Sequence, residues 1–125
     1  MGDINILSPT FTTVTFPSSL SGIHGSVFIN ASSTLTTINL GNLMHISEYL
    51  ILKNLVSLTS ITKNYLTIST LTLDNVPLLQ EMNTTITIND GVRIRNTGLR
   101  SLELQTHWEY GMNSISIGMY TYKSS

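Results

Sequence analysis

Cysteine is absent from this 125-residue chain, which excludes disulfides, thiolate nucleophiles and zinc–thiolate centres together. Charge is scarce: 10% of the residues are charged, against about 25% in an average domain. The net charge is −1 and its signs are dispersed, so no phosphate-tracking surface is expected and nucleic acid drops out as a partner. Alanine, the best helix former, occurs once, at Ala31. No run approaches the roughly 18 apolar residues of a membrane helix, so no membrane insertion is expected. The segment Met1-Gly2-Asp3-Ile4-Asn5-Ile6 has no basic region and no long apolar run, and is not expected to be a signal peptide. Ile6 stands where a myristoylation motif requires Ser or Thr, and Tyr120 to Ser125 carries no lipid-anchor signal.

What the chain has instead is 41% apolar residues together with 16 Ser, 18 Thr and 11 Asn. Such polar side chains favour turns, caps and strands over helix interiors. The apolar residues recur. Val27-Phe28-Ile29, Leu50-Ile51-Leu52, Leu71-Thr72-Leu73, Val92-Arg93-Ile94 and Ile115-Ser116-Ile117 all read apolar-x-apolar, their first residues 23, 21, 21 and 23 apart. A second pair follows each of the first four at nearly fixed offset: Leu35 and Ile38, Leu58 and Ile61, Leu79 and Met82, Leu99 and Leu102. The pattern extends backwards through Ile4-Asn5-Ile6 to Phe11 and Val14.

Each triplet carries the period-2 signature of a half-buried strand. A repeat of this length cannot close its own core, but stacked copies can, with parallel strands side by side about 4.8 Å apart. The segments Asn30 to Thr34, Asn54 to Ser57, Asp74 to Pro77 and Asn96 to Gly98 supply turn chemistry between the apolar pairs. The expected fold is therefore all-β: a single-stranded parallel β-solenoid, leucine-rich-repeat-like, with about five turns of 21–24 residues. One domain spans 1–125, with repeats at about 4–26, 27–49, 50–70, 71–91 and 92–114 and a C-terminal cap over 105–125.

Two segments carry a family resemblance. The stretch from Phe11 through Thr12-Thr13-Val14-Thr15-Phe16-Pro17-Ser18-Ser19 to Leu20 resembles the LTSITIPSSV half of BspA-type leucine-rich repeats. Tyr49 to Ile61, with Leu50-Ile51-Leu52-Lys53-Asn54-Leu55 at its centre, is similar to the LTISNNPSLTSI unit of receptor L domains and fungal cell-wall proteins. The resemblance covers about residues 4–117. The chain lacks the alanine-phenylalanine-x-x-cysteine element of BspA repeats, and the cysteines and anchor signals of L domains. Those families imply surface display, adhesion or recognition and transfer no catalytic residue.

Asn54, Asn75 and Asn96 each stand two residues after the second apolar position of their triplet, and are expected to stack as an inward-turned structural ladder whose amides satisfy backbone groups at the bend. Ala31 and Met119 take that position in the first full turn and the last. On the outward face Lys53, Asp74 and Arg95 alternate in sign, as in a solvated charge ladder. Phe28, Tyr49 and Ile51 put contiguous apolar surface where water is expected, which marks a contact surface for a binding partner; the competing expectation is an N-terminal loop folded over them. Asn30-Ala31-Ser32 and Asn83-Thr84-Thr85 are glycosylation sequons, no more than chance gives in so Ser/Thr-rich a chain.

Catalysis finds little to work with. Glu48 and Asp90 lie two turns apart, and Glu81 with Glu103 is the one pair of acids on adjacent turns in nearly one column. A glycosidase needs two carboxylates about 5–9.5 Å apart across a groove. His24, His45 and His107 show no metal-ligand spacing, so no metal and no cofactor is expected. Trp108, Tyr110, Met112, Met119, Tyr120 and Tyr122 crowd the C-terminal run, as a cap over an open solenoid end would require. The chain is thus expected to be a non-catalytic structural or recognition module on a cell surface, wall or particle, with a protein partner or self-assembly, and with carbohydrate open as a ligand. The alternatives are a virion or other assembly component docking through its ends or its Phe28–Ile51 face, and a carbohydrate-active β-helix enzyme.

Overall fold

The computed structural model of the chain describes residues 2–7, 10–80, 83–98, 101–106, 114–117 and 121–124; side chains at 63–64, 83–85 and beyond 100 are not part of that description. Among the described residues there are eleven strands and no helix: β1 (Ile4–Leu7), β2 (Thr13–Thr15), β3 (Gly22–Ile23), β4 (Val27–Ser32), β5 (Thr37–Asn39), β6 (His45–Leu55), β7 (Ser60–Val76), β8 (Asn83–Thr97), β9 (Ser101–Thr106), β10 (Ser114–Ile117) and β11 (Thr121–Ser124). Every pairing is parallel, as a chain wound always in one direction requires.

Each turn of the coil has three sides. On the first, Ile4, Val27, Leu50, Leu71, Val92 and Ile115 stand opposite one another in successive strands. On the second, Val14 pairs with Ile38 and Ile38 with Ile61. On the third, Ile23, Ile46, Ile68 and Ile88 align. The long strands β6 and β7 pass from side to side through register shifts, between Ile46 and Tyr49, Thr62 and Tyr65, and Ile68 and Thr70. Such bulges bend a strand without ending it. About four turns of β-solenoid are wound between Ile4 and Val92, and the pairing of Ile115 with Val92 carries the first side one step further. Trp108, Tyr110, Met112, Met119 and Tyr120, the bulk of the expected cap, lie outside the described residues.

The inward side chains form files along the axis. Val27, Leu50, Leu71 and Val92 make one, and Ile29, Leu52, Leu73 and Ile94 another, all of them buried. Leu35, Leu58 and Leu79 fill the first corner and are buried as well. Ser32 is the buried polar residue of the described core. It stands in register with Leu55, and its hydroxyl accepts the N–H groups of Thr34 (3.2 Å) and Leu35 (3.0 Å), which satisfies an otherwise costly buried oxygen.

The abundance of Ser and Thr has a structural use. The Thr36 hydroxyl donates to Thr12 O (3.1 Å), that of Thr59 to Thr36 O (3.2 Å) and that of Ser57 to Ser33 O (2.6 Å). These bonds join neighbouring turns at the corners, where Thr12 O also accepts the N–H groups of Thr36 and Thr37 and Thr36 O those of Thr59 and Ser60, so the hydroxyls reinforce contacts that the backbone already makes. The second corner is a tight turn. Gly41 has φ of 60° and a Cβ there would lie 2.8 Å from Phe16 O, while Asn39 Oδ1 accepts its N–H at 2.9 Å; both the conformation and the space select glycine.

Candidate functional site

Phe28 belongs to β4, and Tyr49 and Ile51 to β6. Phe28 and Ile51 face each other as register partners on adjacent strands, and Ile51 is followed across the next pairing by Thr72. The alternation of β4 turns Val27 and Ile29 into the core and leaves Phe28 outward; in β6 Leu50 and Leu52 do the same for Ile51. Phe28 and Ile51 are half-buried, each shielding a flank of the other, while Tyr49 is 47% exposed. The N-terminal segment does not fold over them. It continues the sheet as β1, with Asn5 paired to Phe28.

One end of the patch carries a polar network that fixes the strands. The Ser26 N–H donates to Asp3 Oδ1 (2.8 Å), its hydroxyl donates to Glu48 Oε2 (3.3 Å), and the Tyr49 N–H donates to the same hydroxyl (3.2 Å). At the other end Lys53 is paired with Asp74, and Asp74 with Arg95, so the alternating charges occupy one outward row. The result is an aromatic–aliphatic strip framed by carboxylates on one side and by charges of both signs on the other, suited to an apolar contact with a polar rim.

The asparagines form a ladder of a different kind from the one expected. Asn54, Asn75 and Asn96 have φ of 54°, 56° and 49°, so each bends the chain in the left-handed conformation that asparagine tolerates better than most residues. None of the three is fully buried. Asn54 and Asn75 are half-buried and Asn96 is exposed, because a left-handed corner residue leaves the strand alternation. The Asn54 amide donates to Asn30 Oδ1 (3.3 Å), Asn75 to Asn54 (3.1 Å) and Asn96 to Asn75 (2.7 Å). The amides thus bond to one another along the axis, and Asn30, half-buried and one residue earlier in its own turn, ends the row. The other sequon residue, Asn83, has its side chain outside the described residues.

Ala31 takes the same corner in its turn with φ of 62°. Alanine pays about 1–2 kcal/mol for that conformation, and glycine does not. Ala31→Gly is therefore expected to stabilise the protein by about 0.5–1 kcal/mol after the unfolded-state entropy of glycine is counted, raising the thermal midpoint by about 2–4 °C. A melt followed by circular dichroism measures it.

Among the described residues no group of three or more His, Cys, Asp or Glu could hold a metal ion. His24 and His45 are exposed, and His107 lies outside the described residues, as do the side chains of Glu81 and Glu103. No protein-family model, curated protein or solved structure matches the chain.

Proposed function

We propose that this solenoid is a non-catalytic recognition module that binds another polypeptide through the strip of Phe28, Tyr49 and Ile51. The observation that carries the reading is the register pairing of Phe28 with Ile51 on the outward side of a rigid sheet, with Tyr49 exposed beside them. Neighbouring strands hold these side chains in place, so little ordering entropy opposes a contact, and aromatic anchors on such a support are the residues that dominate interface energies. Full coverage of each would contribute about 1.5–3 kcal/mol. Few charges elsewhere on the chain oppose association.

The double variant Phe28→Ser, Ile51→Thr tests this. It is expected to keep the parent's circular dichroism spectrum and to lose a partner that co-purifies with the parent in stoichiometric amount. A folded variant that retains that partner would refute the assignment. Loss of fold would instead place the two side chains in the core.

A further inference from the structure

Among the described residues nothing covers the core slice of the first turn. Val27, Ile29 and Leu35 are fully buried, whereas their counterparts one turn earlier are not: Ile4 and Ile6 are half-buried and Phe11 is 49% exposed. Between β1 and β2 lies a groove of about 380 Å³ whose lining includes Ile4, Ile6, Val14, Phe16 and Leu20 and no charged residue. Leu7, at the end of β1, is exposed too.

The backbone beside this groove is also open. β1 pairs with β4, and no other described strand pairs with it. The Ile4 N–H donates to Ser26 O at 2.9 Å. Strand alternation therefore turns the N–H and C=O of Asn5, and again of Leu7, to the opposite edge. From Ile4 to Leu7 the strand has no lysine, no proline and no inward charge, the devices by which edge strands are kept from pairing.

We propose that this edge is an interface for a second copy of the chain, the two β1 strands pairing antiparallel about a twofold axis at Asn5. The edge is complementary to itself. With Asn5 opposite Asn5 of the second copy, the two residues exchange both edge-facing hydrogen bonds, and Ile4 of each copy stands opposite Ile6 of the other on the core side. The two uncharged grooves then meet and close one apolar layer. Asp3 falls opposite Leu7 of the second copy, so the two carboxylates are kept apart. A twofold contact of this kind uses one surface twice and closes at two subunits. It uses none of Phe28, Tyr49 and Ile51, so it stands or falls separately from the proposed recognition strip.

Sedimentation of the full chain across a concentration series is expected to show a monomer–dimer equilibrium. Asn5→Pro removes an N–H that faces the open edge and no bond to β4, a position where proline is tolerated, so this variant is expected to stay monomeric with an unchanged spectrum. Because the chain has no cysteine, Asn5→Cys gives a second reading. Held at the axis, the two thiols should oxidise to a covalent dimer about tenfold faster than those of Ser33→Cys, an exposed site away from the edge, owing to their raised effective concentration. A parent that is monomeric throughout, a mass that grows beyond two copies as head-to-tail stacking would require, or a dimer that Asn5→Pro leaves intact would overturn the proposal. If Asn5→Pro fails to fold, equal oxidation rates for the two cysteine variants would overturn it.

Discussion

Truncating Leu73 to alanine is expected to destabilise the protein by about 2–5 kcal/mol. Leu73 is fully buried, with Leu52 in register on the preceding strand and Ile94 on the following one. The side chains of an axial file meet neighbours above and below, and strands held by ladder hydrogen bonds cannot slide together to fill the gap. The cavity therefore persists and its cost adds to the lost burial. Urea unfolding measures the loss as a lower midpoint at constant slope. Thr72, one residue away and outward, provides the contrast: Thr72→Lys is expected to change stability by no more than about 0.5 kcal/mol. A loss below 0.5 kcal/mol at Leu73, or a large one at Thr72, would reverse the assigned parity of β7.

The second large effect belongs to Asn75. Asn75→Ala places an alanine in a left-handed corner, at about 1–2 kcal/mol, and breaks the bonds to Asn54 and from Asn96, each worth about 0.5–1.5 kcal/mol net. The expected loss is about 2–5 kcal/mol. Asn75→Gly separates the two contributions, since glycine accepts the conformation and lacks the amide. It is expected to recover about half of the loss in the same urea titration. Equal losses for both variants would assign the whole effect to the ladder, and no loss for either would refute both roles.

The solenoid was legible because its inward positions repeat in type as well as in spacing. Val27, Leu50, Leu71 and Val92 announce one file, and Leu35, Leu58 and Leu79 another. The third side is not legible as a separate face. Leu66-Thr67-Ile68 and Ile86-Thr87-Ile88 carry the same apolar-x-apolar signature, but each runs into the next triplet with only a bulge between, so periodicity merges two sides into one. The corner asparagines are visible by spacing, whereas their left-handed φ and their bonding to one another are not, because strand alternation says nothing of a residue that leaves it. Spacing does not mark Asn30 as a ladder member, because it reaches Asn54 from one residue before the corner. The apolar strip, by contrast, follows from the repeat itself, which sets residues 28 and 51 side by side.

Native mass spectrometry of the protein purified from its own source tests the central claim most directly, that the outward strip of Phe28, Tyr49 and Ile51 is a binding surface for another polypeptide. The parent should carry a different polypeptide at fixed stoichiometry, and the Phe28→Ser, Ile51→Thr variant, produced in the same source, should appear without it. A parent found free of any other polypeptide, or the same complex for parent and variant, would contradict the claim.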